Sequence, residues 1–365
     1  MFPALFRRLV LAVSLVVLLS VAFSSVAPLA SAKSQAATGT LSIYSVYTAD
    51  GNNNYKKVFQ IGNTVHYIVG IKNSSGSTIT ATLYYESSWG LQRGAMGTLM
   101  YSQSYTVSIP ANGSAGYYVG QTIPTWEFPG PFYFQPTVTD LSNTANTATK
   151  SAPFTVSGMK QITNPSGQVV PYYSQFCYDS SGKLLDVSKH DCGPASVAMV
   201  LSYMGRLSSN STRCQQIAYA RKTITNLDGN YGDTNGYELQ YALTHNNDGT
   251  TNGMHYTSFG KVSPVPYSQE NWIEGNLMSN YPTIVLVNAS STIPQPNLGR
   301  PYYGHWLVVV GTYDDGTNAY MLVNDPDSDY TGNKTAMIWL PTFSNAIQYA
   351  NDSSSYQDIV GWYNW

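Results

Sequence analysis

The chain has 365 residues, 43% of them hydrophobic and only 10% charged, with 30 tyrosines and 30 glycines. That length allows two domains of ordinary size, each with its own core. A formal net charge of −2 without any basic run leaves nucleic-acid binding no electrostatic footing.

Residues 1–32 read as a signal peptide. Arg7 and Arg8 form the positive region, Leu9 to Phe23 is apolar, and Ala30-Ser31-Ala32 is a small-residue cleavage site. The apolar run is shorter than the ~20 residues a bilayer span needs. The expectation is a secreted protein, free in the medium or held at the cell surface, with no membrane association after cleavage. The low-charge mixture rich in Tyr, Gly, Ser, Thr and Asn suits that placement.

Residues 39–157 alternate short strands with turn residues. Val65, Tyr67, Val69 and Ile71 fall on one face of a strand, and Ile79, Ala81, Leu83 and Tyr85 repeat the alternation. Six further candidates are Leu41–Tyr47, Lys57–Ile61, Leu99–Ile109, Ala115–Val119, Phe132–Thr139 and Ala148–Val156. Asp50-Gly51, Gly62-Asn63 and Asn112-Gly113 are among the turns between them. The pattern predicts an antiparallel sandwich of immunoglobulin-like type, without an intersheet disulfide because the stretch has no cysteine. Glu86–Gly97 and the aromatic Trp126–Gly130 read as structural loops. A cell-surface or polymer ligand is the partner such a sandwich could hold.

Gly158 to Val169 reads as a linker, and the pattern then changes. In Cys192-Gly193-Pro194-Ala195-Ser196-Val197, Pro194 suits a first helical turn. Val197, Val200, Leu201 and Met204 make one buried stripe, and Gly205 ends the helix. Further helices are expected at Thr212–Lys222, from Asn235 to His245, and at Ser268–Ser279. Strands are expected at Thr283–Asn288, His305–Thr312 and Ala319–Asn324, the last two joined by an Asp315-Gly316 hairpin signal. Helices first and an antiparallel sheet afterwards predict an α+β domain over residues 170–365.

Cys192 stands just ahead of a helix N-terminus, where the partial positive charge favours a thiolate. A cysteine hydrolase also needs an imidazole, a group to orient it, and donors for the oxyanion. Of five histidines, His190 is two residues from Cys192 in a loop, His245 ends a helix, and His255 lies in a Gly/Asn/Thr-rich loop. His305 instead opens the apolar strand His305-Trp306-Leu307-Val308-Val309-Val310. A tight hairpin returning through Asn324-Asp325-Pro326 would set residue 325 roughly opposite residue 305. Either Asn324 or Asp325 could then orient the ring; because side chains alternate, only one can face it, and Asp325 is preferred.

Val170-Pro171-Tyr172-Tyr173-Ser174-Gln175, Asp191-Cys192-Gly193-Pro194-Ala195-Ser196, Gly304-His305-Trp306 and Asn324-Asp325-Pro326, in that order, resemble the bacteriocin-processing-type peptidases of the papain clan in their free-standing C-39-like form. The resemblance covers residue 170 to the C-terminus. It implies a papain-like fold with Cys192 as nucleophile, His305 as general base and acid, Asp325 as orienter, and Gln175 as an oxyanion donor beside the Cys192 N–H. Gln175 lies 17 positions ahead of Cys192, whereas the family's glutamine lies only a few residues ahead. An insertion, Phe176 to His190, must therefore loop out. In an oxidising compartment Cys177 and Cys214 could close that loop as a disulfide, leaving Cys192 as the odd free thiol.

No metal or cofactor is expected. Asp325-Pro326-Asp327-Ser328-Asp329 fails as an EF-hand, having Tyr330 and Ala336 where Gly and Glu are needed. The resulting expectation is a secreted cysteine peptidase acting on a peptide or protein substrate. The alternatives are a cell-wall amidase or endopeptidase, for which Asp-Cys-Gly-Pro is an unusual nucleophile sequence, and a non-catalytic adhesion or binding protein.

Overall fold

The computed structural model describes residues 40–90, 98–183, 185, 190–229, 232–259, 268–287, 304–327, 335–353 and 359–363. The signal peptide assigned to residues 1–32 lies outside them. The N-terminal region is mostly β-sheet and the C-terminal region carries the helices.

Among the described residues nine strands run through the N-terminal region: β1 (Leu41–Ala49), β2 (Val58–Gln60), β3 (Thr64–Asn73), β4 (Ile79–Trp89), β5 (Thr98–Ile109), β6 (Ser114–Thr122), β7 (Gly130–Asp140), β8 (Thr147–Thr149) and β9 (Ala152–Gln161). β1, β3 and β6 form one antiparallel sheet, and β5, β4, β7 and β9 follow one another in a second. Both predicted apolar faces are buried, Val65/Tyr67/Val69/Ile71 on β3 and Ile79/Ala81/Leu83/Tyr85 on β4. Rings interdigitate between the layers: Tyr67 of β3 stacks on Phe134 of β7 at 4.5 Å between centroids, and Phe134 in turn stacks on Tyr85 at 5.6 Å. The predicted loop from Glu86 starts later than expected, because β4 continues to Trp89. The single strand expected over Ala148–Val156 is two, β8 and β9.

The expected linker begins as strand. β9 pairs its first half with β7, from Phe134↔Ala152 to Gly130↔Val156. Its second half, Gly158 to Gln161, pairs with β12 (His305–Asp314). The second sheet therefore runs without a break from the N-terminal region into the C-terminal one, in the order β10-β15-β11-β12-β9-β7-β4-β5. Here β10 is His255–Phe259, β11 is Thr283–Val287 and β15 is Ile359–Tyr363. Gly311 makes the crossing possible: a Cβ there would lie 2.1 Å from the Lys160 carbonyl oxygen.

The C-terminal helices are α1 (Cys192–Tyr203), α2 (Arg213–Asp228), α3 (Gly236–Thr244), α4 (Ser268–Met278) and α5 (Leu340–Ser353). α1 is buried on nearly every side rather than along one stripe, because β12 covers one flank and α2 and α3 cover the others. Gly205, at φ 69°, ends it as expected. Reciprocal capping boxes start α2 at Thr212/Gln215 and α3 at Asn235/Glu238. α2 runs past the expected Lys222 to Gly229, whose φ of 76° stops it.

Candidate active site

Cys192 is the first residue of α1, and its sulfur is near enough to the His305 ring to act on its charge. His305, the first residue of β12, is only 3% exposed. Its Nε2 lies 2.7 Å from Asp325 Oδ1. Asp325 is 4% exposed and also accepts the Asp327 N–H at 2.9 Å. Cys192 thus meets, more than a hundred positions downstream, a carboxylate–imidazole pair made by His305 and Asp325.

The electrostatics follow from that contact. Burial, the largest single influence on His305, disfavours its charged form. The Asp325 carboxylate, through its charge and its hydrogen bond, and the Cys192 sulfur outweigh burial and raise the imidazole well above its ordinary value.

The hairpin does not place 305 opposite 325. The loop between the strands takes four residues, 315–318, and even with a one-residue bulge between Val309 and Gly311 Asn324 faces Val308. β13 (Ala319–Asn324) ends there, and His305 and Asp325 meet diagonally across the strand ends. Asn324 points elsewhere: its Nδ2 donates to the Val170 and Pro171 carbonyls at 3.2 and 3.3 Å, and its Oδ1 accepts from Thr335.

Gln175 is 3% exposed, and its N–H donates to the Pro326 carbonyl at 2.8 Å. It is thereby tied to the turn that follows Asp325. Its side-chain Oε1 is buried with no hydrogen-bond partner among the described residues. Cys177, in the insertion between Gln175 and Cys192, is joined to Cys214 by a disulfide, leaving Cys192 free.

The other histidines take separate paths. His190 pairs with Asp233 at 2.8 Å, on the surface. His245 stacks on Tyr241 at 4.0 Å. His66 contacts Asn53 in the N-terminal region, and His255 begins strand β10 rather than lying in a loop. Among the described residues no group of three His, Cys, Asp or Glu side chains could hold a metal ion.

One buried cation escaped the sequence reading. Arg221, on α2, donates from Nε to Asp191 Oδ1 at 2.8 Å, from one terminal nitrogen to the Gly232 carbonyl at 3.0 Å, and from the other to the His190 carbonyl at 2.7 Å. Burial pushes the Asp191 carboxyl up, against the pull of Arg221. Thr234, two residues beyond Gly232, packs against Gly193, where a Cβ would lie 2.6 Å from its own. The Thr234 carbonyl accepts the Trp306 indole N–H at 2.7 Å. The available signal was Arg221 itself, set in the apolar row Ile217, Ala220, Ile224 where a core residue belongs.

A mostly β N-terminal region joined to a helix-bearing C-terminal region with a Cys-His-Asp chain defines the class at the level of fold. The model of the Peptidase_C39-like family matches residues 168–356, more than half of the chain and all four candidate site positions. The chain belongs to that family, and membership points to a peptidase. No curated protein matches the chain.

Among solved structures, the alkylpurine DNA glycosylase AlkC of Pseudomonas fluorescens is 13% identical, over 32% of this chain and 30% of that one, with a TM-score of 0.24. A Paenibacillus cycloisomaltooligosaccharide glucanotransferase is 15% identical over 44% and 19%, with a TM-score of 0.25. The CARDB domain of PF1109 from Pyrococcus furiosus is 19% identical over 32% and 84%, with a TM-score of 0.20. The chain spans less than a third of the length of the first two. At these TM-scores none of the three bears on its function.

Proposed function

We propose that the chain is a secreted cysteine peptidase that hydrolyses peptide bonds through Cys192, His305 and Asp325, with Gln175 beside them as an oxyanion donor. The observation that carries the reading is the double engagement of His305, with Asp325 on one ring nitrogen and the Cys192 sulfur as its second partner. A buried imidazole held between a carboxylate and a thiol is arranged to keep a thiolate–imidazolium pair.

In this mechanism the Cys192 thiolate attacks the scissile carbonyl carbon, and the carbonyl electron pair moves to oxygen. The Cys192 backbone N–H, at the head of α1, and the Gln175 amide donate to that oxyanion. His305 gives its proton to the departing amine, leaving an acyl-enzyme. It then takes a proton from water, which attacks the thioester and releases the acid and the free thiol. Asp325 holds the Nε2 proton and fixes the ring plane throughout.

The same proposal includes a papain-like fold for the C-terminal region, supported by a cysteine-bearing helix packed on a histidine-bearing antiparallel sheet. It also includes an immunoglobulin-like sandwich for the N-terminal region, supported by two antiparallel layers sharing an aromatic core. Secretion is supported by the Cys177–Cys214 disulfide, which belongs in an oxidising compartment.

The test is hydrolysis of a peptide library, together with covalent labelling by a thiol-directed peptidase inhibitor. Both are expected to vanish in Cys192→Ala, and labelling at pH 6 to fall sharply in His305→Ala. Cleavage that persists in Cys192→Ala would end this reading.

A further inference from the structure

The turn that leads into Cys192 is held by groups outside α1. Asp191 stands at the N-cap of the helix, yet its side chain makes no capping hydrogen bond to the first turn. Instead it turns away to Arg221, and the two side chains are 5% and 7% exposed. The Arg221 fork then spans three acceptors: Asp191, the His190 carbonyl before it, and the Gly232 carbonyl on the 232–234 segment. That segment reaches back twice more, through Asp233 to His190 and through Thr234 to Gly193 and Trp306. Trp306 follows His305 directly. The residues on both sides of the sulfur, and the residue after the imidazole, are therefore bound to one small unit with Arg221 at its centre.

We infer that Arg221 is a positioning residue for the nucleophile: its guanidinium fixes the 190–192 turn, and so aims the Cys192 sulfur at His305. This rests on the reading of Cys192 as the nucleophile. The three acceptors are met by three different nitrogens of one rigid plane, a spread that the single nitrogen of an ammonium cannot reproduce. Mere stabilisation is a weak rationale for the pair. Buried ion pairs contribute little net stability, and well-packed neutral replacements often match them. The surroundings also offer an unusual handle. Arg221 and Asp191 line a cavity of about 410 Å³ between α2 and the disulfide-closed insertion, so a small cation can reach the place that a truncated Arg221 would vacate.

The experiment uses the full-length secreted chain and compares three variants, each checked for folding by circular dichroism. The first is Arg221→Lys; the second is the neutral pair Asp191→Asn with Arg221→Met, which leaves no buried charge unpaired. Readouts are kcat and KM on a cleaved peptide, and the rate of Cys192 alkylation by iodoacetamide against pH. For a positioning residue, kcat falls tenfold or more in both while KM stays within about twofold, and alkylation at pH 6 slows by a similar factor in folded protein. In the third, Arg221→Ala, millimolar ethylguanidinium restores part of the lost rate and methylammonium does not.

Neutral-pair kinetics and alkylation within twofold of wild type would overturn the inference, and so would equal rescue by methylammonium. Failure of the underlying reading looks different, because wild type itself would then show no Cys192-dependent cleavage or labelling. If Arg221→Ala does not fold, the neutral pair decides the matter.

Discussion

Asn324 and Asp325 are neighbours in sequence but serve opposite sides of the end of β13. Asp325 meets the His305 ring at 2.7 Å, whereas Asn324 donates to the carbonyls of Val170 and Pro171. Strand alternation separates them, and the separation predicts two unlike phenotypes. Asp325→Asn removes the largest upward influence on the His305 imidazole, so the ring loses its proton at lower pH. The alkaline limb of the kcat/KM profile is expected to move to lower pH, with a loss in kcat of about 10²-fold or more. Asn324→Ala leaves the buried Val170 carbonyl and the part-buried Pro171 carbonyl without their donor, at a cost of about 1–3 kcal/mol. It should lower the melting temperature while leaving the pH limbs in place. A pH–rate profile and a thermal melt on both variants check the pair of outcomes.

The three cysteines predict a two-sided response to reductant. Cys192 must be free to act, while the Cys177–Cys214 bridge closes a stretch of 37 residues with Cys192 inside it. On the loop-entropy account a bridge of that span stabilises by about 4 kcal/mol. Activity is expected to rise as mild thiol reverses oxidation of Cys192, then fall at dithiol concentrations that open the bridge. Cys177→Ser with Cys214→Ser should melt lower and show only the rising part. A monotonic rise in wild type up to complete reduction would contradict this role for the bridge.

The elements with strong local signals were readable directly from the sequence. The alternation of Val65 to Ile71 and of Ile79 to Tyr85 announced buried strands, and both faces are buried. Cys192 followed by Pro194 and a run of small and apolar residues announced the head of a helix, and His305 announced itself by opening an apolar strand. Long-range features left weaker traces. The hairpin loop takes four residues, 315–318, and the bulge at Val310 changes no residue type in its Val-rich run, so the register could not be counted from Asp315-Gly316. Gly158 to Gln161 pairs through its backbone while Met159 stays 65% exposed, so no alternating face marked it as strand. Arg221 gains its meaning only from partners some 10 to 30 residues away, although its apolar neighbours on the helix gave a hint.

The crossing of β9 and β12 depends on Gly311. Its backbone passes so close to Lys160 that an added Cβ would sit 2.1 Å from a carbonyl oxygen, and that oxygen belongs to backbone that cannot swing aside. Gly311→Ala must push the two strands apart around the pairs Gly311↔Gln161 and Thr312↔Lys160. Overpacking of this kind costs about 1–3 kcal/mol. The expected result is a lower melting temperature and faster proteolytic nicking between residues 158 and 169, with hydrolysis by the intact fraction little changed. Limited proteolysis followed by N-terminal sequencing of the fragments would locate the cut, and resistance equal to wild type would show that the strands accommodate the methyl group.

Near the same crossing lies a carboxyl group with no place in the proposed chemistry. Glu127 is 2% exposed, in the loop whose Pro129 carbonyl accepts the Thr312 hydroxyl at 2.7 Å. Burial raises its pKa to about 7, only partly opposed by the Phe128 N–H and the Lys160 ammonium. A carboxyl raised above its unfolded value favours the fold in its protonated form. Its stabilising effect is therefore complete below about pH 4.5 and is lost as pH rises through about 7. At 1.36 kcal/mol per pKa unit the loss approaches roughly 3 kcal/mol by pH 8. Glu127→Gln keeps the shape and cannot ionise, so its stability relative to wild type should grow from pH 5 to about pH 7 and then level off. Urea unfolding of both proteins across that range measures the difference directly. A constant offset would mean that Glu127 remains ionised in the fold at acid pH, and that the loop at the crossing does not loosen with rising pH.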